Sequence, residues 1–163
     1  MVDHILVPLD GSELSEKALN LGKDLARATG ARMSIVTVVL RYGKSVPGQQ
    51  ELESESRKQI GDYLDPIRDQ LTAEGLQAVS SVEFGNPADA IADFAKREGV
   101  DLIITSTHGV GRSAKYALGS TALKVLQIAP CPVTMLQVTE AASISRSTAQ
   151  ERLGAFLSVA GTR

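Results

Sequence analysis

Apolar residues along this chain alternate between two kinds of spacing. Short unbroken runs stand at His4-Ile5-Leu6-Val7-Pro8-Leu9, Met33–Val39, Leu102-Ile103-Ile104 and Val133–Val138. Runs of that length, rich in β-branched residues and bounded by turn formers, predict buried strands. A fifth run, Ala78–Phe84, mixes serine and glutamate with its apolar positions and predicts a strand at a sheet edge. Between the runs, apolar residues recur at spacings of three and four. Leu14, Ala18, Leu21, Leu25 and Ala28 follow Ser12, a good N-cap, and Gly30 stops the pattern. Arg41 to Gln50, with its glycines and Pro47, reads as a loop. From about Gln49 to Glu74 a second helix is charged in its first half and buries Ile60, Leu64, Ile67 and Leu71 in its second. Pro66 predicts a kink or a new helical segment there. Asn86-Pro87 opens a third helix with Ile91, Phe94 and Ala95 inward, and Gly99 ends it. A fourth pattern places Ala122, Val125, Leu126 and Ala129 on one face.

Strand and helix alternate throughout. The predicted class is therefore α/β: an open five-stranded parallel sheet with helices on both faces and right-handed crossovers. The last stretch differs. Residues 140–163 begin small and polar, then show a capping-box signature at Ser147–Gln150 and apolar Leu153, Phe156, Leu157 and Ala160. The reading is an α/β domain over 1–139 and a C-terminal extension, 140–163, with a short amphipathic helix; a frayed tail is the alternative.

Composition narrows the function classes. A length of 163 residues suits one domain with a full core. A net charge of −2 leaves no basic footprint for nucleic acid. No apolar run is long enough to span a membrane, and no basic leader precedes the first strand, so the expected location is cytoplasmic. The one cysteine, Cys131, excludes an intrachain disulfide and fits a reducing compartment. Lying between two prolines, it reads as a packed thiol rather than a redox sensor. His4 and His108 are the only histidines, which argues against a structural zinc site.

The candidate chemistry lies between Asp101 and Thr121. A strand there delivers a loop with Gly109 and Gly111, and Gly119-Ser120-Thr121 feeds a helix. Free N–H groups and the helix dipole at such a place suit an anion, most often phosphate. A plain strand–helix connection with Ser120 as N-cap is the alternative. Two standard phosphate motifs do not account for the loop. Gly43-Lys44-Ser45 resembles the end of a Walker A loop, but Val38 occupies its required glycine. Gly109, Gly111 and Ala114 fit G-x-G-x-x-A, yet no acidic residue follows until Glu140. In the strand order 3-2-1-4-5 the winding reverses between strands one and four, and ligands bind outside the carboxyl ends of strands at such a point. The Pro8-Leu9-Asp10 and Ser106-Thr107-His108-Gly109 ends would then share one crevice. Asp10 could accept hydrogen bonds from ribose hydroxyls or an adenine amino group, or simply form the turn before Gly11. Arg112 and Lys115 could neutralise phosphate, or be solvated charge. His108 reads as a loop-structuring residue rather than a general base, since no paired nucleophile or carboxylate accompanies it.

At these residues the chain resembles the universal stress protein family. The resemblance rests on Ile5–Ser12, Gly85-Asn86-Pro87-Ala88, Ser106-Thr107-His108-Gly109, Gly119-Ser120-Thr121 and Ala129-Pro130-Cys131-Pro132-Val133, in the family's order across residues 3–138. It implies the 3-2-1-4-5 sheet and a homodimer through the fifth strand, with the Thr134 N–H a candidate participant. In one branch it implies ATP, or AMP or ADP, with or without Mg, bound by a G-x2-G-x9-G-(S/T) motif. Gly109, Gly119 and Ser120 match that motif, whereas Ser106 stands at its first glycine. The same resemblance implies that Pro8, Leu9, Asp10 and Val38 line an adenosine pocket. The expected function is an adenine-nucleotide-binding regulatory protein, at most a slow ATPase, acting on an unidentified protein partner. An ATP-independent dimeric interaction module is the alternative. A true enzyme of the wider adenine-nucleotide α-hydrolase group is a third reading, weakened because the S-G-G-x-D-S loop is missing after strand one.

Overall fold

A computed structural model describes residues 1–41, 49–107 and 118–137. Its strands are β1 (His4–Pro8), β2 (Arg32–Leu40), β3 (Ala78–Gly85), β4 (Leu102–Ser106) and β5 (Val133–Leu136). They form one parallel sheet in the order β3-β2-β1-β4-β5. The helices are α1 (Glu13–Thr29), α2 (Gln49–Ala73), α3 (Pro87–Glu98) and α4 (Ser120–Ile128). Alternate β1 residues divide between two cores. Ile5, Val7 and Leu9 pack with α1 and α2 residues such as Ala18, Leu19, Ile60 and Leu64. Leu6 packs with Ile91, Phe94, Ala95 and Val125 of α3 and α4. The central strands are thus apolar on both faces, as parallel sheets covered by helices are. Among the described residues no helix is long and apolar enough to cross a membrane. The extension over 140–163, with its expected helix, lies outside the described residues.

Local signals placed most boundaries. The Ser12 side chain caps α1 by accepting from the Ser15 N–H, and Gly30 closes that helix at φ +77°. Asn86 and Pro87 open α3, and Gly99 closes it at φ +63°. β3 occupies a sheet edge, as its mixed composition predicts.

Four details differ from the sequence reading. The buried face of α1 is Ser15, Ala18, Leu19, Gly22 and Ala26, rotated away from the leucine stripe, and Ala28 is exposed. The helix sits so close to the sheet that a Cβ on Gly22 would lie 2.9 Å from Val7 Cγ2 and 3.1 Å from Met33 Cε. At Gly22 a residue without a Cβ permits that approach. Pro66 lies inside one continuous α2 rather than dividing it. β5 ends at Leu136 instead of Val138. On α4, Ala122 and Val125 are buried but Leu126 is 50% exposed. This helix lies at the β5 end of the sheet, and among the described residues no further element follows β5.

The amino-terminal ends of the central strands are tied by polar groups. The buried His4 ring lies 2.8 Å from Ser34 Oγ through Nε2 and 3.2 Å from the Glu98 carbonyl through Nδ1. Asp101 Oδ2 accepts the Asp3 and His4 N–H groups at 2.9 and 3.0 Å. Burial, reinforced by the charge of Arg32, holds the His4 ring below its ordinary pKa of 6.5, against the opposing pull of Glu98 and Asp101. A depressed histidine contributes stability above its unfolded value, which drains away as pH falls through 6.5 toward the lower folded value. Urea midpoints between pH 7.5 and 5 should therefore fall for the native sequence. His4→Gln should start lower and fall less, and parallel curves would contradict this assignment.

Candidate functional site

The ladder between β1 and β4 ends early, and the cause is visible in the backbone. The β1–β4 pairing covers only Ile5↔Leu102 and Leu6↔Ile103, whereas β1 pairs with β2 from His4 to Pro8. Residues of a strand face alternate neighbours. The Leu9 N–H donates to the Val36 carbonyl of β2 at 2.8 Å, and the His4 carbonyl accepts from Asp101 beside β4. Pro8 therefore faces β4, and proline has no N–H to give. On the other side Ile103 donates to the Pro132 carbonyl and Thr107 to the Leu136 carbonyl, so β4 continues its ladder with β5. Beyond Leu6, β1 follows β2 and β4 follows β5. The β1–β4 ladder therefore stops at the topological switch point, where open α/β sheets place a ligand crevice.

A polar network built on Asp10 and Ser12 shapes the β1 side of this crevice. Asp10 Oδ1 accepts from the Ser12 N–H at 3.0 Å and from the Ser12 hydroxyl at 2.6 Å. Ser12 Oγ accepts from the Ser15 N–H, Ser15 Oγ donates to the Ser12 carbonyl, and the Asp10 N–H donates to Ser15 Oγ. Gly11 completes the turn at φ +75°, the left-handed region that glycine enters without strain. Asp10 thus forms the turn at the mouth of the crevice, so turn formation and placement at the site are one arrangement. Thr37 Oγ1 donates to the Leu9 carbonyl at 2.8 Å, and the Leu9 side chain belongs to the core. Pro8 and Val38 are partly exposed near this end of the sheet.

On the opposite side the Gly119 N–H donates to the Thr107 carbonyl at 2.8 Å, which brings the start of α4 to the end of β4. Gly119, not Ser120, is the N-cap, and as a glycine it makes no side-chain cap bond. Ser120 and Thr121 occupy its first exposed positions. An amino terminus without a side-chain cap retains N–H donors for a negatively charged group. Ser106 ends β4. Strand alternation puts its side chain on the α1 face with Ile104, which packs in the α1–α2 core. Its backbone faces β1, since Ile103 and Thr107 face β5. The serine atoms that replace the motif glycine therefore point away from the space between the strands. His108, Gly109, Gly111, Arg112 and Lys115 lie outside the described residues.

Sequence reasoning missed Ser15 and Thr37. Only the S-x-x-S spacing of Ser12 and Ser15 signalled the first. Burial, with Glu13 beside it, raises the Glu16 carboxyl above its ordinary range. Cys131 is a free, partly buried thiol whose pKa is pushed up by burial and by Asp101, consistent with packing rather than reactivity.

The chain belongs to the universal stress protein family, whose model matches residues 1–137. Universal stress protein YxiE of Bacillus subtilis (strain 168) is 30% identical over 148 residues, covering 84% of this chain and 100% of that protein. Among solved structures, MJ0577 superposes with a TM-score of 0.73 at 25% identity, covering 86% of this chain and 99% of that one. A universal stress protein in complex with cAMP shares the fold at a TM-score of 0.65 and 23% identity, covering 84% and 98% of the two chains. The Archaeoglobus fulgidus universal stress protein in complex with dAMP does so at 0.58 and 21%, covering 83% and 98%.

Ser12 serves both the helix cap and the Asp10 carboxylate. Ser12→Ala should cost about 1–2 kcal/mol of stability in urea titrations. A loss below about 0.3 kcal/mol, the range of an ordinary surface change, would show that the network contributes little.

Proposed function

We propose that this protein is a cytoplasmic regulatory module that binds an adenine nucleotide, ATP or its AMP or ADP form, in the crevice between β1 and β4. The observation that carries the reading is the meeting of unlike groups at one switch point: the Asp10 turn on one side, the side-chain-free cap of α4 on the other. A nucleotide needs both, an acceptor for its ribose or base and donors for its phosphates. Two universal stress proteins of the same fold form complexes with cAMP and dAMP, which supports an adenine ligand class. In this reading Asp10 takes the nucleoside, and Pro8, Leu9 and Val38 form the base side. Gly119, Ser120 and Thr121 meet the phosphates, together with His108, Gly109, Gly111 and Arg112. Ser106 closes the floor through its backbone. Mg would accompany the phosphates of ATP. No side chain is assigned to bond cleavage, so hydrolysis would be slow, and occupancy of the site would be read by a protein partner.

Calorimetric titration with ATP and AMP tests the site. Gly119 has φ −61°, open to any residue, so Gly119→Val should leave the backbone unstrained and put a branched side chain against the phosphates. Affinity should fall about tenfold or more, a loss of ~1.4 kcal/mol. Ser106→Gly should change it by less than about threefold, because the side chain points to the α1 face. Unchanged binding in Gly119→Val would remove α4 from the site.

A second reading, a dimeric interaction module, is favoured by the β5 side. β5 is a short edge strand, and Leu118, Leu123, Leu126 and Ile128 on or beside α4 are exposed. Unpaired edges invite pairing, and a two-fold copy would make the contact isologous. Since Pro132 and Leu136 face β4, Thr134 does too, and Val133 and Met135 turn their backbone groups outward. Met135→Pro should therefore convert a dimer to monomer by light scattering at micromolar concentration. Thr134→Pro should instead weaken the sheet itself. A monomeric native chain would overturn this assembly.

A further inference from the structure

The sheet ends in two edges of different kinds. β5 is 4 residues long, whereas β3 runs for 8, Ala78–Gly85. Among the described residues no strand lies outside β3. A long edge strand is a template for another strand, its own copy included. Backbone alternation shows which groups β3 would present. The Gln77 and Gly85 carbonyls accept from the Met33 and Arg41 N–H groups at 2.7 and 3.3 Å, on the β2 side. Ala78, Ser80, Val82 and Phe84 therefore turn their backbone groups outward.

One of those outward groups is taken by a side chain. Arg57 reaches from α2 to the edge, and its Nη1 donates to the Val82 carbonyl at 3.0 Å. Its guanidinium carbon stands 4.9 Å from the centroid of the Phe84 ring, a cation–π contact two residues further along the same edge. A carbonyl at a sheet edge does not require a side chain, because water can satisfy it. An arginine held there by two contacts has another consequence. It occupies both the acceptor and the space that an incoming strand would use.

The strand suits pairing with its own copy. About a two-fold axis at Ser81, Ser80 would oppose Val82 and Val79 would oppose Glu83, so no like charges meet. Val79 is exposed, with its side chain open to such a neighbour.

We infer that the β3 edge is a second strand-pairing surface, complementary to another copy of this chain, and that Arg57 keeps it closed. With β3 closed, growth of the sheet is confined to the β5 edge and ends at a pair. With both edges open, each copy would pair on two sides and association would run on without closure. The inference holds whether or not β5 pairs, since its test compares variants with the native chain.

Arg57→Met keeps an unbranched apolar stem beside Phe84 and removes the donor. Its mass by light scattering at micromolar concentration should rise to about twice the native value or more, with a native circular-dichroism spectrum. Adding Val79→Glu would set a carboxylate against Glu83 of the second copy at both ends of the two-fold pair. Arg57→Met/Val79→Glu should therefore return to the native mass. A native mass for Arg57→Met alone would overturn the inference. So would a raised mass that Val79→Glu leaves unchanged, or one accompanied by loss of the native spectrum, because association would then come from exposed apolar surface or unfolding rather than from edge pairing.

Discussion

The fold's organisation turns on one missing hydrogen-bond donor. Pro8 sits in the central strand of a parallel sheet, where proline is normally excluded because it interrupts the ladder. Here it interrupts the ladder on the β4 side only. The β2 side is intact, since the residues that face β2 have their N–H groups. The sheet therefore stays continuous at its amino-terminal end and divides at its carboxyl end. The glycine turn, the polar network under Asp10 and the approach of α4 to Thr107 all surround that division.

The two ends of the sheet solve opposite problems. At the amino-terminal end, polar groups are paired to one another. Asp101 takes two backbone N–H groups, and His4 spans from Ser34 to the end of α3. At the carboxyl end, α4 begins at Gly119, which offers no side-chain cap. Satisfied networks rigidify, while unsatisfied groups store free energy that a partner can release.

Strand identity, sheet order and most helix caps were legible because they rest on local chemistry: Ser12, Asn86-Pro87, Gly30 and Gly99 each act within one turn of their own position. The alternation of strand and helix then left few topologies. What escaped was tertiary. The leucine stripe of α1 suggested one buried face, but Gly22 and its small neighbours set another, because distance to Val7 and Met33 decides which face can come close. Leu126 looked internal by spacing and is exposed, since periodicity cannot show that a helix lies at the end of a sheet. In the site, Asp10 and Gly119 were readable as members of a glycine-and-acid pattern. Sequence could not show that the Ser106 side chain and backbone point to different places.

The brevity of the β1–β4 ladder also has a mechanical meaning. β3, β2 and β1 form one hydrogen-bonded group, β4 and β5 another, and the pairs Ile5↔Leu102 and Leu6↔Ile103 join them. α1 packs across both groups and is the strap over this seam. Partial opening of a protein follows such boundaries, where few bonds must break together. A molecule bridging the Asp10 turn and the α4 terminus would fasten the seam at its open end, converting two loosely coupled halves into one cooperative body. The crevice is then a zipper's upper end, and its occupant would govern how the whole sheet yields to force, heat or a protease.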